Sequence, residues 1–135
     1  MVVRVTLLIK KLDTLTDEEF HNYWKGPHAQ IFLGVPIVKE KILKFSLTRI
    51  TFFQFRVDKT TSAVLAAQGL PVAEYDEGVN HWAASLDDIM AVGNMYKDPE
   101  YQRLVLADAE VFSKTKESKM MIRYDKDFVA DGKVL

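Results

Sequence analysis

The chain of 135 residues has no cysteine. That excludes disulfides, thiolate metal sites and a cysteine nucleophile, and it fits a reducing compartment. It has no excess of either charge: 18 Lys and Arg stand against 19 Asp and Glu, for a net charge of −1. A nucleic-acid surface would leave a basic footprint, and there is none, nor any long basic run. No apolar run approaches the roughly 20 residues that a membrane span needs. The opening "MVVRVTLLIKK" is apolar but short, without a long hydrophobic region or a small-residue cleavage site. It reads as a strand of the mature protein and not as a signal peptide, so a cytoplasmic location is expected. Walker, GxGxxG and GxSxG motifs are absent, which argues against nucleotide and acyl-enzyme chemistry. The three histidines show neither HxH nor HExxH spacing, so no metal site is expected. What is present is an ordinary globular composition, 48% hydrophobic and 27% charged, enough for one domain over residues 1–135 with a real core.

Val3, Val5, Leu7 and Ile9 alternate with Arg4, Thr6, Leu8 and Lys10, a period of two that predicts a first strand. Thr16 and Glu19 form a capping-box pair, so a helix should start at about Asp17. Phe20, Tyr23, Trp24, Pro27, His28, Ile31 and Val35 recur along one face of it. The β-branched and aromatic residues that follow predict a strand from about Lys41 to Ile50, with a further stretch from Thr51 to Val57 that could resume it. Residues 58–78 contain Gly69, Pro71 and Gly78 and read as a loop with a short helical turn. "VNHWAAS" reads as a third strand. A helix opens at Ser85 or Asp87 and restarts at Asp98 with Pro99 in its first position. "KMMIRYDKDF" reads as the last strand. The order β-α-β-β-α-β predicts a ferredoxin-like α+β fold: a four-stranded antiparallel sheet with its helices on one face. The other face would be bare and partly apolar, and the expectation is a homodimer closing sheet on sheet.

His28 belongs to the apolar face of the first helix. A core histidine bonded to a carbonyl would sit in the same way, but the Gly26-Pro27 break frees backbone groups beside it and leaves room for a ligand. His21 falls on the solvent side and is given no role. His81 and Trp82 are neighbours in a strand and point to opposite faces. If His81 faces the helices with Val79 and Ala83, it shares a cavity with His28. Otherwise it is a hydrogen-bonded strand histidine. Asp76 precedes that strand and could be either solvated or aimed inward to orient a histidine. Tyr101 could project from its helix start towards the sheet. Lys44 is the one lysine of its segment in phase with an inner face. A small aromatic-lined pocket with one or two histidines suits proton transfer to or from a carbon acid or phenol, without a cofactor.

The stretch "VTLLIKKLDTLTDEEFHNYWKGPHAQI", with its T-x-E-E-F-x-x-Y-W helix start and a histidine four residues after the tryptophan, resembles the opening of EthD-domain proteins. "EYDEGVNHW", "DPEYQRLVLADAEVF" and "MMIRYD" are similar to later parts of that family, so the likeness covers nearly the whole chain. It is nearest to the fungal branch of small decarboxylases in aromatic polyketide pathways, which act on atrochrysone-carboxylate-type intermediates. The resemblance implies a dimeric α+β barrel and carries the family's signature histidine onto His28 and its aromatic pair onto Tyr23 and Trp24. Polyketide cyclases of the same barrel carry a histidine where this chain has Tyr101. The segment "LTRITFF" is longer than the family pattern leads one to expect.

The expectation is therefore a cofactor-free decarboxylase of an aromatic polyketide carboxylic acid. His28 would be the acid and His81 a second donor, oriented by Asp76 or the backbone. Phe20, Tyr23, Trp24, Trp82 and Tyr101 are candidates to line the ring slot, Trp82 only if His81 turns away, and Lys44 would anchor the carboxylate. A dehydratase or cyclase would need the same acid–base groups. A non-catalytic binder of aromatic ligands would need only the slot.

Overall fold

The computed structural model describes residues 3–40, 50–124, 126 and 128–134. Four strands form one antiparallel sheet: β1 (Val3–Ile9), β2 (Ile50–Arg56), β3 (Glu77–Ala83) and β4 (Lys119–Tyr124), in the order β2-β3-β1-β4. That is the ferredoxin-like order, with the first and third strands in the middle. Val5 lies opposite His81 and Ile122, and Phe52 lies opposite His81 on the far side. The predicted strand from Lys41 to Ile50 lies almost wholly outside the described residues, as does Lys44. The stretch proposed to resume it is β2.

The first helix starts where its capping box places it. Thr16 accepts from the Glu19 amide at 3.1 Å, and the Glu19 carboxylate accepts from the Thr16 amide at 2.8 Å. It runs through α1 (Asp17–Tyr23), a π-helical turn (Trp24–His28) and α2 (Ala29–Gly34), followed by the single turn α3 (Pro36–Val38). Residues 58–78 depart from the expected loop. Asp58 caps the Thr61 amide at 2.9 Å, and the run that follows forms the nine-residue helix α4 (Lys59–Ala67). Gly69, at φ +84°, ends it in the left-handed conformation that glycine tolerates. The glycine and proline cluster had hidden a helix behind its own stop signal.

After β3, the Ser85 hydroxyl accepts from the Asp88 amide and opens α5 (Leu86–Gly93), which tightens into a 3₁₀ turn (Asn94–Lys97). Asp98 caps the Tyr101 amide at 2.9 Å with Pro99 in the first position of α6 (Pro99–Tyr101). A second π-helical turn (Gln102–Leu106) leads into α7 (Ala107–Phe112). Past β4, the short strands β5 (Val129–Ala130) and β6 (Lys133–Val134) pair as a hairpin.

The helices cover the sheet face that carries Val3, Val5 and Ile9. Two clusters fill the space between. One gathers Val3, Val5, Val35, Val38, Ala83, Met95, Tyr101 and Val105; the other gathers Ile9, Phe20, Trp24 and Phe112. The opposite face is more polar than its strand pattern implied. The Arg4 guanidinium lies over the Trp82 ring at 5.3 Å. Arg123 donates to the Thr6 hydroxyl, which donates in turn to the Asn80 side-chain oxygen, so Thr6 is buried on the face expected to be bare.

Candidate active site

The two π turns are what build the site. A π turn takes in one more residue than an α turn, so every side chain after it is rotated around the helix axis. Pro27 sits inside the first, where a missing amide donor is tolerated because the local hydrogen bonds have already shifted. Trp24, Pro27 and His28 all keep right-handed helical geometry or lie within it, so the helix widens at Gly26-Pro27 and does not break. His28 is the last residue of the first turn. Asp108 comes two residues after the second. The turns lie against each other's helices and bring these two side chains face to face.

The His28 Nδ1 lies 2.8 Å from the Asp108 Oδ2. The other carboxylate oxygen accepts from the Tyr23 hydroxyl at 2.6 Å. Both partners of this contact are nearly buried, with side chains 11% and 12% exposed. A carboxylate on Nδ1 fixes that nitrogen as the N–H and leaves Nε2 for chemistry. The ring itself is held in a stack: Trp24 lies parallel at 5.6 Å and Phe112 is tilted against it at 4.7 Å. The hydrogen bond to Asp108, with burial adding to it, pushes the Tyr23 phenol up to about 12. Tyr23 therefore stays protonated and keeps donating.

His28 opens on a cavity of about 260 Å³ lined by Leu7, Trp24, Ala29, Phe32, Leu33, Gln54, Val79, His81, Tyr96 and Tyr101. His81 projects to the helix side of β3 and shares this cavity. Burial pushes its imidazole down to about 4, so it is neutral at physiological pH. It can offer one ring N–H but not a positive charge. Tyr96 and Tyr101 meet edge to face at 5.3 Å on the wall formed by the 3₁₀ turn and α6. The Trp24 indole N–H is buried with no acceptor among the described residues.

The other residues singled out in the sequence lie elsewhere. Trp82 is on the open sheet face, as strand alternation requires once His81 turns inward, and does not reach the cavity. Asp76 is remote from His81: it accepts from the Lys11 amide at 2.8 Å and pairs with Lys59. With Asp17, Arg56 and Glu77 it lines a separate charged cleft of about 420 Å³ over Phe20. The charges there are largely spent on one another, Lys59 holding Asp17 and Asp76, and Arg56 holding Glu18. Phe20 is a core ring, 1% exposed, and Tyr23 supports Asp108 from behind the cavity wall. His21 is not on the wet side: its Nδ1 pairs with the carboxylate of Glu77, which is itself 2% exposed and pushed up by that burial.

The most important residue missed in the sequence was Asp108. Its signal was there: it sits three residues after Val105 and four before Phe112, a carboxylate on the stripe that buries both. Tyr96 was missed because the 3₁₀ turn that carries it falls between two helices and has no periodicity of its own.

The EthD domain model matches residues 12–116, and the chain belongs to that family. The chain is 26% identical to a protein named decarboxylase from Claviceps purpurea (strain 20.1), the match covering 97% of this chain and 88% of that protein. It is 25% identical to decarboxylase claH of Passalora fulva, over 97% of this chain and 80% of that protein. Among solved structures it is similar to an EthD family protein of Bacillus halodurans C-125, at a TM-score of 0.53 and 12% identity, covering 93% of this chain and all of that one. That likeness speaks for the fold alone.

The neutral, buried His81 has a consequence for stability. Its folded pKa of about 4 lies below the ordinary value of 6.5, so the unfolded chain binds the extra proton first. Stability is full above pH 6.5 and falls as pH drops towards 4, by up to about 3 kcal/mol. Urea unfolding at steps between pH 7 and 4 should show this slope, and His81→Asn should flatten it. An equal slope in both proteins would mean that His81 is not held neutral.

Proposed function

We propose that this protein is a cofactor-free decarboxylase of an aromatic polyketide carboxylic acid, with the carboxyl beside a ketone or phenol as in atrochrysone carboxylate. The observation that carries the reading is the Asp108–His28 pair at 2.8 Å on the wall of an aromatic cavity. The fungal relatives that bear the name decarboxylase support the reaction class. The flat rings of Trp24, Phe32 and Tyr101 suit a planar substrate.

In the proposed reaction the bond from the carboxylate carbon to the ring or α-carbon breaks, CO2 leaves, and the electron pair is taken up as an enolate or dienolate. That carbon then takes a proton from the imidazolium of His28, which regains one from solvent. Asp108 holds the ring and offsets its charge when protonated. Tyr23 is a positioning residue that acts through Asp108. His81 acts as a neutral hydrogen-bond donor to the substrate. Lys44 stays a proposal from the sequence alone.

Incubation with anthraquinone-pathway carboxylic acids should release CO2. His28→Ala should lower turnover by about 10²–10⁴-fold while the fold is kept, the span usual for a lost general acid. A near-wild-type rate in His28→Ala sinks the assignment, and product masses showing loss of water would move the reaction to dehydration.

The reading includes a homodimer in which the open sheet face meets a second copy. Its support is Trp82 and the half-exposed Met121 on a face that no helix among the described residues covers. Light scattering should give twice the chain mass, and Trp82→Glu should return it to the chain mass. A wild-type protein at the single-chain mass contradicts it.

A further inference from the structure

The cavity carries a pair of phenols that the His28 chemistry leaves unused. Tyr96 and Tyr101 both line it, on elements distinct from the helix that carries His28. Their rings are locked edge to face at 5.3 Å and 73°. Phe32 meets Tyr101 edge-on at 6.2 Å, and Asp98 caps the Tyr101 amide, so the ring is held by its backbone as well as by its neighbours. The Gln102 side-chain amide donates to the Tyr96 carbonyl at 3.0 Å and fixes the 3₁₀ turn. Burial is the chief cause that pushes both phenols up, so both keep their protons at any working pH. The pairing of the two phenols offsets part of that rise at Tyr96 and pushes Tyr101 further up. Tyr101 is 3% exposed within the core, whereas Tyr96 is only partly buried, so Tyr96 is the ring of the pair more open to a ligand. Its O–H is the one offered to the cavity, with the Tyr101 ring packed against it.

We propose that Tyr96, backed by Tyr101, is a catalytic residue that donates a hydrogen bond to the substrate oxygen on which negative charge develops. The inference rests on the decarboxylase reading above and divides its labour. When the carbon–carboxylate bond breaks, the electron pair passes to the adjacent carbonyl oxygen, which becomes an enolate or phenolate. Tyr96 holds that oxygen without giving up its proton. The carbon is protonated by His28 from its own helix, and the net change is one carboxylate and one proton becoming C–H and CO2. Groups carried on separate elements of one cavity let oxygen and carbon be handled by different side chains. In a cavity walled by Leu7, Phe32 and Val79, a neutral donor aimed at developing charge is worth more than the same group in water.

The test uses 2-naphthol, whose neutral and ionised forms differ in absorbance, as a stand-in for the charged intermediate. It is titrated across pH while bound to the wild-type protein, Tyr96→Phe and Tyr101→Phe. Loss of the donor should raise the pKa of the bound naphthol by about one unit in Tyr96→Phe, the worth of one hydrogen bond to a charged oxygen. Tyr101→Phe should give a smaller rise in the same direction, and it reads the same network should Tyr96→Phe fail to fold. With a polyketide carboxylic acid, Tyr96→Phe should lower kcat more than it raises KM. Equal naphthol pKa values in all three proteins, or no binding of naphthol to the wild type, overturn the proposal. No CO2 from any substrate with the naphthol shift intact overturns the decarboxylase reading and leaves the oxygen-binding role standing.

Discussion

The structure turns on one hydrogen bond, from His28 to the carboxylate of Asp108, between residues 80 apart in sequence. Placing a carboxylate where only an eighth of its side chain meets water is expensive unless each oxygen has a donor. Here one oxygen has the imidazole and the other has the Tyr23 hydroxyl. Neither donor can be removed without leaving a nearly buried oxygen unpaired, which costs about 1–3 kcal/mol. The three side chains therefore specify one another, and with them the way the first helix lies against the last. Both π turns serve this contact. A regular α-helix in either place would turn His28 or Asp108 towards the sheet or the solvent.

Around that bond the cavity is built from contrast. The stack of Phe20, Trp24, His28 and Phe112 is dense and dry, and it fixes the imidazole plane. The far wall is aromatic but polar at its tips. His81 is neutral because burial makes its charge costly, not because a partner competes for it. A substrate entering this space meets hydrogen-bond donors and flat rings, and one group, His28, whose charged form has a counter-ion waiting. The larger cleft at the other end of the first helix is chemically opposite. It is crowded with ions that neutralise one another, and its buried Glu77 is tied to His21.

Local rules made most of the fold legible in the sequence. Alternation in β1, the capping box at Thr16 and Glu19, and the Asp98-Pro99 start are each set by a few adjacent residues, and the strand order follows from the β-α-β-β-α-β succession. The helix at Lys59–Ala67 was obscured because its stop signal was read without its cap at Asp58. The site was legible only where it lay on the periodic face. Trp24 and His28 line the cavity, and His81 turns inward with Val79. Asp108 lay on the buried stripe between Val105 and Phe112, but its partners Tyr23 and His28 are 80 or more residues away, and no local pattern links them. Asp76 was misplaced for the converse reason. Closeness to His81 in sequence implies little in a strand end, where the chain has already left the cavity by the time it reaches Asp76.

The central claim is that His28 and Asp108 act as one unit, and a double-mutant cycle on decarboxylation measures it most directly. Turnover would be compared for wild type, His28→Ala, Asp108→Asn and the double variant, with folding checked by circular dichroism. If the carboxylate acts only through the imidazole, the double variant should be no slower than His28→Ala alone. Losses in kcat that multiply, each variant adding its own factor to the other, would show that Asp108 acts independently and would contradict the account.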